Sequence, residues 1–274
     1  MAKQAGIHGL RGKVNGMSYY GSKVGGSLVR KINEGMSARV KTGKEYANTR
    51  KNNSEFGMCG DFAGALIKPI SLRWRFILDS IATGKMVKIM KESVKRAANG
   101  AWGQRVVPVT DYKFLLEALN SFSKNEMISE IVSAINSGLD YTSSNNKIVL
   151  GSNATLSTEK QAELIAAGVN HVDVKVFVLK TTAPKFSQET MEYSKAISTL
   201  DEIADFDKSV DLNTAAPVQL FGATETSYDA SGFIDSTYFG GLLVVYLPGR
   251  KVGGVVNTLQ EYCAAGFYEI NDGD

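Results

Sequence analysis

The side chains with catalytic or ligating chemistry are sparse and scattered. His8 and His171 are the only histidines, and Cys59 and Cys263 the only cysteines. A zinc site from these four needs all of them to converge from distant places, with no local ligand pair to seed it. Both cysteines stand among apolar or small residues and far apart, which predicts buried, reduced thiols. His8 falls in a glycine-rich arm; His171 opens an alternating run and reads as a structural side chain. Asp201, Glu202, Asp205, Asp207 and Asp211 form an acidic run. Two of them could do acid–base work or bind calcium, but the glycine turn and terminal Glu of a calcium loop are absent. The run reads as a solvated or partner-facing acidic face.

Phosphate-binding loops fare no better. Gly12-Lys13 is followed by Val14, so the hydroxyl that would hold Mg²⁺ is missing. Gly21-Ser-Lys-Val-Gly-Gly-Ser27 lacks lysine at the required place, and no GxGxxG, HExxH or GxSxG occurs. The expectation is a protein that is not an enzyme, with no catalytic, cofactor-binding or metal-ligating residue. A hydrolase would need converging carboxylates.

The chemistry that is dense here is cationic. Lys13, Lys23, Arg30, Lys31, Arg39, Lys41, Arg50 and Lys51 crowd into the first fifty-odd residues, with Tyr19 and Tyr20 between them. Cations at this density neutralise phosphates or carboxylates without reading bases, and tyrosines can stack on bases. The same stretch suits addition to the sheet edge of a neighbour. No recognised nucleic-acid module matches.

These residues need a scaffold. Val14–Tyr20 and Ser27–Ile32 flank the glycine-rich Gly21–Gly26, a hairpin pattern. Residues 33–43 read as extended and basic. Helix is predicted from near Lys44, with Phe56, Cys59, Phe62, Leu66 and Ile67 on one face, closing at Pro69. A buried helix is predicted over Ile70–Ala82, and a basic one after Gly84 with Met86, Met90 and Val94 inward. Asp111–Gly138 reads as two more helices: Phe114, Leu115, Ala118, Leu119 and Phe122 stripe the first, Ile128–Ile135 the second. Ser157 reads as the N-cap of a short helix ending at Gly168.

From Val169 the period becomes alternating. His171–Leu179 predicts a strand, as do Val218–Phe221, Phe233–Phe239, Leu242–Leu247, Val252–Val256 and Phe267–Ile270, with Gln188–Ala204 as a possible helix. The expected class is α+β, with an N-terminal basic β-hairpin arm, a helical middle and a C-terminal antiparallel β-sandwich-like domain. The expected domains are 1–44, 45–150 and 151–274, with the last boundary in the polar stretch at 140–155.

The composition is that of a soluble chain, 43% hydrophobic and 22% charged. No apolar run approaches membrane-spanning length, and the first residues carry no secretory pattern. The net charge of +3 hides an asymmetry. Through Arg105 there are 20 Lys and Arg against 6 Asp and Glu; from Val106 onward, 11 against 22. A basic half facing an anion is the implied arrangement, the anion being nucleic acid or the acidic half of another copy.

The segments Gly9-Leu-Arg-Gly-Lys-Val-Asn-Gly-Met-Ser-Tyr-Tyr20, Gly25-Gly-Ser-Leu-Val-Arg-Lys31 and Thr49-Arg-Lys-Asn-Asn-Ser-Glu-Phe-Gly57 resemble the opening of proteins from phages of Bacteroidota, including crAss-like phages. The resemblance covers about the first 65 residues. It implies a virion structural protein, made in the host cytoplasm: a neck or tail ring or a capsid-associated component. The implied partners are other copies of the chain and other virion proteins (portal, capsid or tail), with non-specific DNA contact as the alternative and no membrane. It implies no catalytic residue.

Overall fold

The computed structural model describes residues 2–3, 12–22, 26–33, 35–74, 76–122, 139–142, 147–150, 155–204, 207–214, 218–219, 226–229 and 238–269. Met1–Asn52 and Asn53–Asp274 form two compact units.

The first unit contains strands β1 (Ala2–Lys3), β2 (Gly12–Val14), β3 (Met17–Ser22) and β4 (Gly26–Lys31), helix α1 (Met36–Thr42) and the start of helix α2 (Ala47–Arg73). The strands form an antiparallel sheet in the order β1-β4-β3-β2. The β3–β4 hairpin matches expectation. A second hairpin, β2–β3, turns at Asn15-Gly16, both with positive φ (48° and 72°). Asn-Gly is the favoured pair for such a turn because its twist matches the strands. Residues 36–42 are helical, not extended as expected. No residue of α1 is buried, so the helix leaves no apolar periodicity to read.

The second unit is helical first. From Glu55 onward α2 buries Met58, Cys59, Phe62, Ala63, Leu66, Ile67 and Ile70 as well. It runs through Pro69 instead of closing there. Proline removes one backbone donor and strains its turn, but only four helical residues follow, and buried Ile70 and Trp74 hold the turn to the core. The expected helix over 70–82 does not form: Leu72 and Ile81 are exposed, α2 ends at Arg73, and residues 76–77 form a turn. Helix α3 (Ala82–Arg96) then buries Met86, Met90 and Val94, one per turn, as expected. Helix α4 (Tyr112–Ser121) buries Tyr112, Leu115, Leu116 and Leu119, while Phe114, expected inward, is 56% exposed. The helix expected over Ile128–Ile135 lies outside the described residues.

Strands β5 (Leu139–Thr142) and β6 (Lys147–Leu150) pair with each other; β7 (Thr155–Leu156) precedes helix α5 (Thr158–Ala166). Ser157 caps α5 as predicted, its hydroxyl accepting from the Lys160 N–H at 3.2 Å.

Strand β8 (His171–Thr182) is followed by β9 (Phe186–Ser187), β10 (Glu192–Tyr193), β11 (Ser198–Glu202), β12 (Lys208–Asp211), β13 (Val218–Gln219), β14 (Thr226–Asp229), β15 (Tyr238–Val252), β16 (Val255–Thr258) and β17 (Ala264–Glu269). The main sheet is antiparallel, with β8 and β15 paired over twelve residues at its centre. β11 and β12 lie in succession along the other side of β8; β16 and β17 do the same along β15. β7 pairs with β13, and β14 joins β6.

Two expectations change here. Segment 188–204 forms β10 and β11 rather than a helix, because β11 completes the ladder beside β8. The runs read as separate strands at Leu242–Leu247 and Val252–Val256 belong to one long strand and the hairpin that ends it. Pro248 fits inside β15 because it falls between the residues paired with β17, ending at Tyr246, and those paired with β16, starting at Gly249. Its carbonyl, on the same side as its missing N–H, accepts from Leu259 N–H, so no ladder donor is required there.

The α+β class holds: hairpins at the N-terminus, helices in the middle, and a curled antiparallel sheet after them. The helices and the sheet, expected as separate domains, share one core. Phe177 and Leu179 of β8, Leu243 and Val245 of β15, and Ala265 and Phe267 of β17 pack with the buried residues of α2, α3 and α4. Trp74 meets Phe177 edge-on, ring centroids 4.8 Å apart. Within the polar stretch at 140–155, where the last boundary was expected, the described residues include parts of β5 and β6. The amide of Asn120 on α4 donates to the Phe267 carbonyl (3.0 Å) and accepts from its N–H (2.8 Å), fastening α4 to the β17 edge.

Candidate functional site

The described part of the arm forms regular strands and helices. None of its described side chains between Gly12 and Asn52 is buried. A sheet of a few strands needs one covered apolar face for independent stability. This unit also concentrates charge: residues 1–52 hold 11 Lys and Arg against 2 Asp and Glu, a balance of +9, and the remainder 20 against 26, a balance of −6.

Strand register distributes the expected site residues over both faces. Lys13, Ser18 and Arg30 occupy one rung across β2, β3 and β4, so two cations flank a hydroxyl on a single face. Tyr20 shares that face, with the Arg30 guanidinium 5.7 Å from its ring centre. Tyr19 and Lys31 stand on the opposite face, since neighbours along a strand alternate. Arg30, Lys31, Arg39 and Lys41 are exposed, as is Lys51. Arg39 approaches Glu45 at 3.8 Å, both well exposed, a contact worth little in water. Arg50 differs from the rest. Its guanidinium donates to the carbonyls of Val40 (2.9 Å) and Gly43 (2.7 Å), satisfying the C-terminal end of α1. It is a structural cation. Lys23 and His8 lie outside the described residues.

Within the second unit three polar clusters could carry chemistry. His171 is buried, and its Nε2 meets both Ser209 Oγ (2.7 Å) and Asp173 Oδ1 (3.0 Å). A catalytic triad needs the acid on one ring nitrogen and the nucleophile on the other. Here both crowd one nitrogen, and Ser209 Oγ lies 2.7 Å from Asp173. The cluster cross-links β8 to β12, in keeping with the structural reading of His171.

The acidic run forms the second cluster. Lys175 on β8 binds Glu202 and Asp207, and Arg73 at the end of α2 also binds Glu202. The hydrogen bond from Lys175 lowers the Glu202 pKa, and its bond to Glu202 raises that of Lys175. These carboxylates hold the break between β11 and β12 against β8. Asp201 and Asp211 remain exposed; Asp205 lies outside the described residues.

The third cluster was not anticipated. Glu55 is fully buried and accepts from Arg105 Nε (2.8 Å) and a second Arg105 nitrogen (3.0 Å), from Lys91 Nζ (2.9 Å) and from the Gly103 N–H (2.8 Å). Burial pushes its pKa up, but the bonds from Arg105, Gly103 and Lys91 outweigh burial and hold it at about 2. Tyr193 on β10 donates to the carbonyls of Gly103 and Arg105 (3.1 and 2.9 Å), so the clasp reaches the β9–β10 hairpin. A carboxylate this saturated has no lone pair left for proton transfer. Its sequence signal is an acid at a core-facing position, one turn before Met58 and Cys59 and two before Phe62.

The two thiols are unreactive by environment. Burial raises the Cys59 pKa to about 11 and that of Cys263 to about 12. Among the described residues no group of three or more His, Cys, Asp or Glu is placed to hold a metal ion, and no helix is long and apolar enough to cross a membrane. No family model, no curated protein and no solved structure matches the chain.

Proposed function

We propose that this protein is a non-enzymatic structural component of a phage particle, a neck or tail ring or capsid-associated protein, that assembles into an oligomer through its basic arm. One observation carries this reading: a regular four-stranded unit of net charge +9 in which no described side chain between Gly12 and Asn52 is buried. A unit whose described side chains stay unburied can gain covered surface from a neighbour, and the −6 balance of residues 53–274 makes another copy an electrostatically suitable one. The test is replacement of Arg30, Lys31, Arg39 and Lys41 by Ser in the full chain. The oligomer should weaken, and its dependence on salt should flatten; unchanged assembly overturns the reading.

A second reading rests on the Lys13–Ser18–Arg30 rung beside Tyr20. That face could follow a phosphodiester backbone, making the protein a non-sequence-specific nucleic-acid binder packaged with the genome. Its affinity would fall steeply with the logarithm of salt concentration. No binding of single- or double-stranded DNA at low salt removes it.

A further inference from the structure

The second unit carries two exposed tips at opposite ends of its longest strand pair. The β15–β16 hairpin extends past Gly249, the last β15 residue paired with β8, and turns at Gly253-Gly254, both with positive φ. Val252 and Val255 face each other across this hairpin and are 59% and 63% exposed. Beside them stand Arg250 and Lys251, both exposed and the only Lys or Arg after Lys208. An exposed pair of β-branched side chains beside the only cations of an acidic stretch presents an apolar and basic surface to solvent.

At the other end of β8 the chain continues the β8–β11 ladder into the short β9–β10 hairpin. Its tip presents Glu189, Met191 and Glu192, all exposed, with Lys185 and Lys195 exposed at its base. Met191 is 59% exposed and adopts φ 57°, a conformation that costs a non-glycine residue on the order of 1 kcal/mol. Glycine would fit this turn without strain, so the methionine combines backbone strain with an apolar side chain in water. Twelve extended residues separate the two ends by roughly 36–40 Å.

Both hairpins are anchored by side-chain hydrogen bonds. The Asn170 amide accepts from the Lys251 N–H (2.7 Å) and donates to its carbonyl (3.2 Å), acting as an extra strand beside the basic hairpin. Tyr193 and the Glu55 clasp hold the acidic hairpin. Anchored surfaces have less conformational entropy to lose on docking.

The geometry points to a head-to-tail joint in which the basic, valine-bearing β15–β16 tip of one copy docks on the acidic, methionine-bearing β9–β10 tip of the next. The joint rests on the reading of the protein as an assembling component and adds a contact that the arm does not provide. Contacts between different surfaces of successive copies propagate, closing into a ring or continuing as a filament according to the rotation per copy.

Sedimentation velocity of the full chain tests the joint. Arg250→Glu with Lys251→Glu should lower the self-association constant at least about tenfold, and Glu189→Lys with Glu192→Lys should do the same. The four substitutions together restore opposite charges and should return association to within about threefold of the original. Val252→Ser with Val255→Ser should weaken association without flattening its salt dependence. All of these positions are exposed, and unchanged circular dichroism and melting temperature verify the fold. If either charge-reversed pair associates like the original chain, or the fourfold variant stays as weak as the pairs, the joint is wrong. If only the arm variant weakens association, the joint falls while the arm reading stands. If the unaltered chain does not associate at all, both fall.

Discussion

Glu55 and Arg105, fifty positions apart, meet through two hydrogen bonds of 2.8 and 3.0 Å in a site where the carboxylate has no solvent exposure. The pair fixes the loop after α3 against α2, and through Gly103 and Tyr193 it fixes the β9–β10 hairpin as well. Removing one partner of a buried pair strands the other. Glu55→Gln should therefore lower unfolding free energy by about 2–4 kcal/mol, measured by urea denaturation. A change below about 0.5 kcal/mol would mean the clasp holds nothing.

The same site sets an acid limit. A carboxyl whose folded pKa is lowered, from 4.5 to about 2, contributes stability that is full above about pH 4.5 and lost as pH falls toward 2. Stability should decline across that window, and the Glu55→Gln variant should decline less steeply. Equal slopes would show that other carboxylates dominate.

Glycines offer opposite outcomes on two elements. At Gly249 an added Cβ would lie 2.8 Å from both the Asn257 carbonyl oxygen and Val256 Cγ1, so Gly249→Ala should destabilise by about 1–3 kcal/mol. Gly57, Gly60 and Gly64 sit in α2 with nothing within 4 Å of an added Cβ. Alanine at each should stabilise by about 0.5–1 kcal/mol, since it suits a helix interior better. Thermal melting distinguishes the two signs.

Asn120 and Asn170 replace missing strands with side-chain amides at Phe267 and Lys251. Asn→Asp keeps the shape and the acceptor but turns the donor into a second acceptor facing a carbonyl. Asn120→Asp should cost about 1–3 kcal/mol. Asn170→Asp should cost less, because its hydrogen bonds are more exposed. A reversed order would contradict the burial argument.

Legibility in the sequence followed burial. The α3 face of Met86, Met90 and Val94, the β8 alternation and the Ser157 cap were all readable because each expresses a local rule. α1 was not, since a helix that buries nothing has no pattern. Pro69 reads as a helix end, and the runs on either side of Pro248 read as separate strands, yet neighbouring packing and a gap in the ladder tolerate both prolines. Asn15-Gly16 was a turn signal within reach that the reading of Val14–Tyr20 as one run passed over. Of the candidate site, the cationic density of the arm was plain. The inward role of Arg50 and the burial of Glu55 required tertiary contacts, namely the end of α1 and the loop at Gly103. The two exposed tips required strand register.

The central claim is that the basic arm joins copies of this chain. Light scattering after size separation, at low and high salt and with and without DNA, tests it most directly. The expected result is a defined oligomer that forms without DNA and dissociates as salt rises. A monomer at every protein concentration that gains mass only when DNA is added would contradict the claim and favour the nucleic-acid reading.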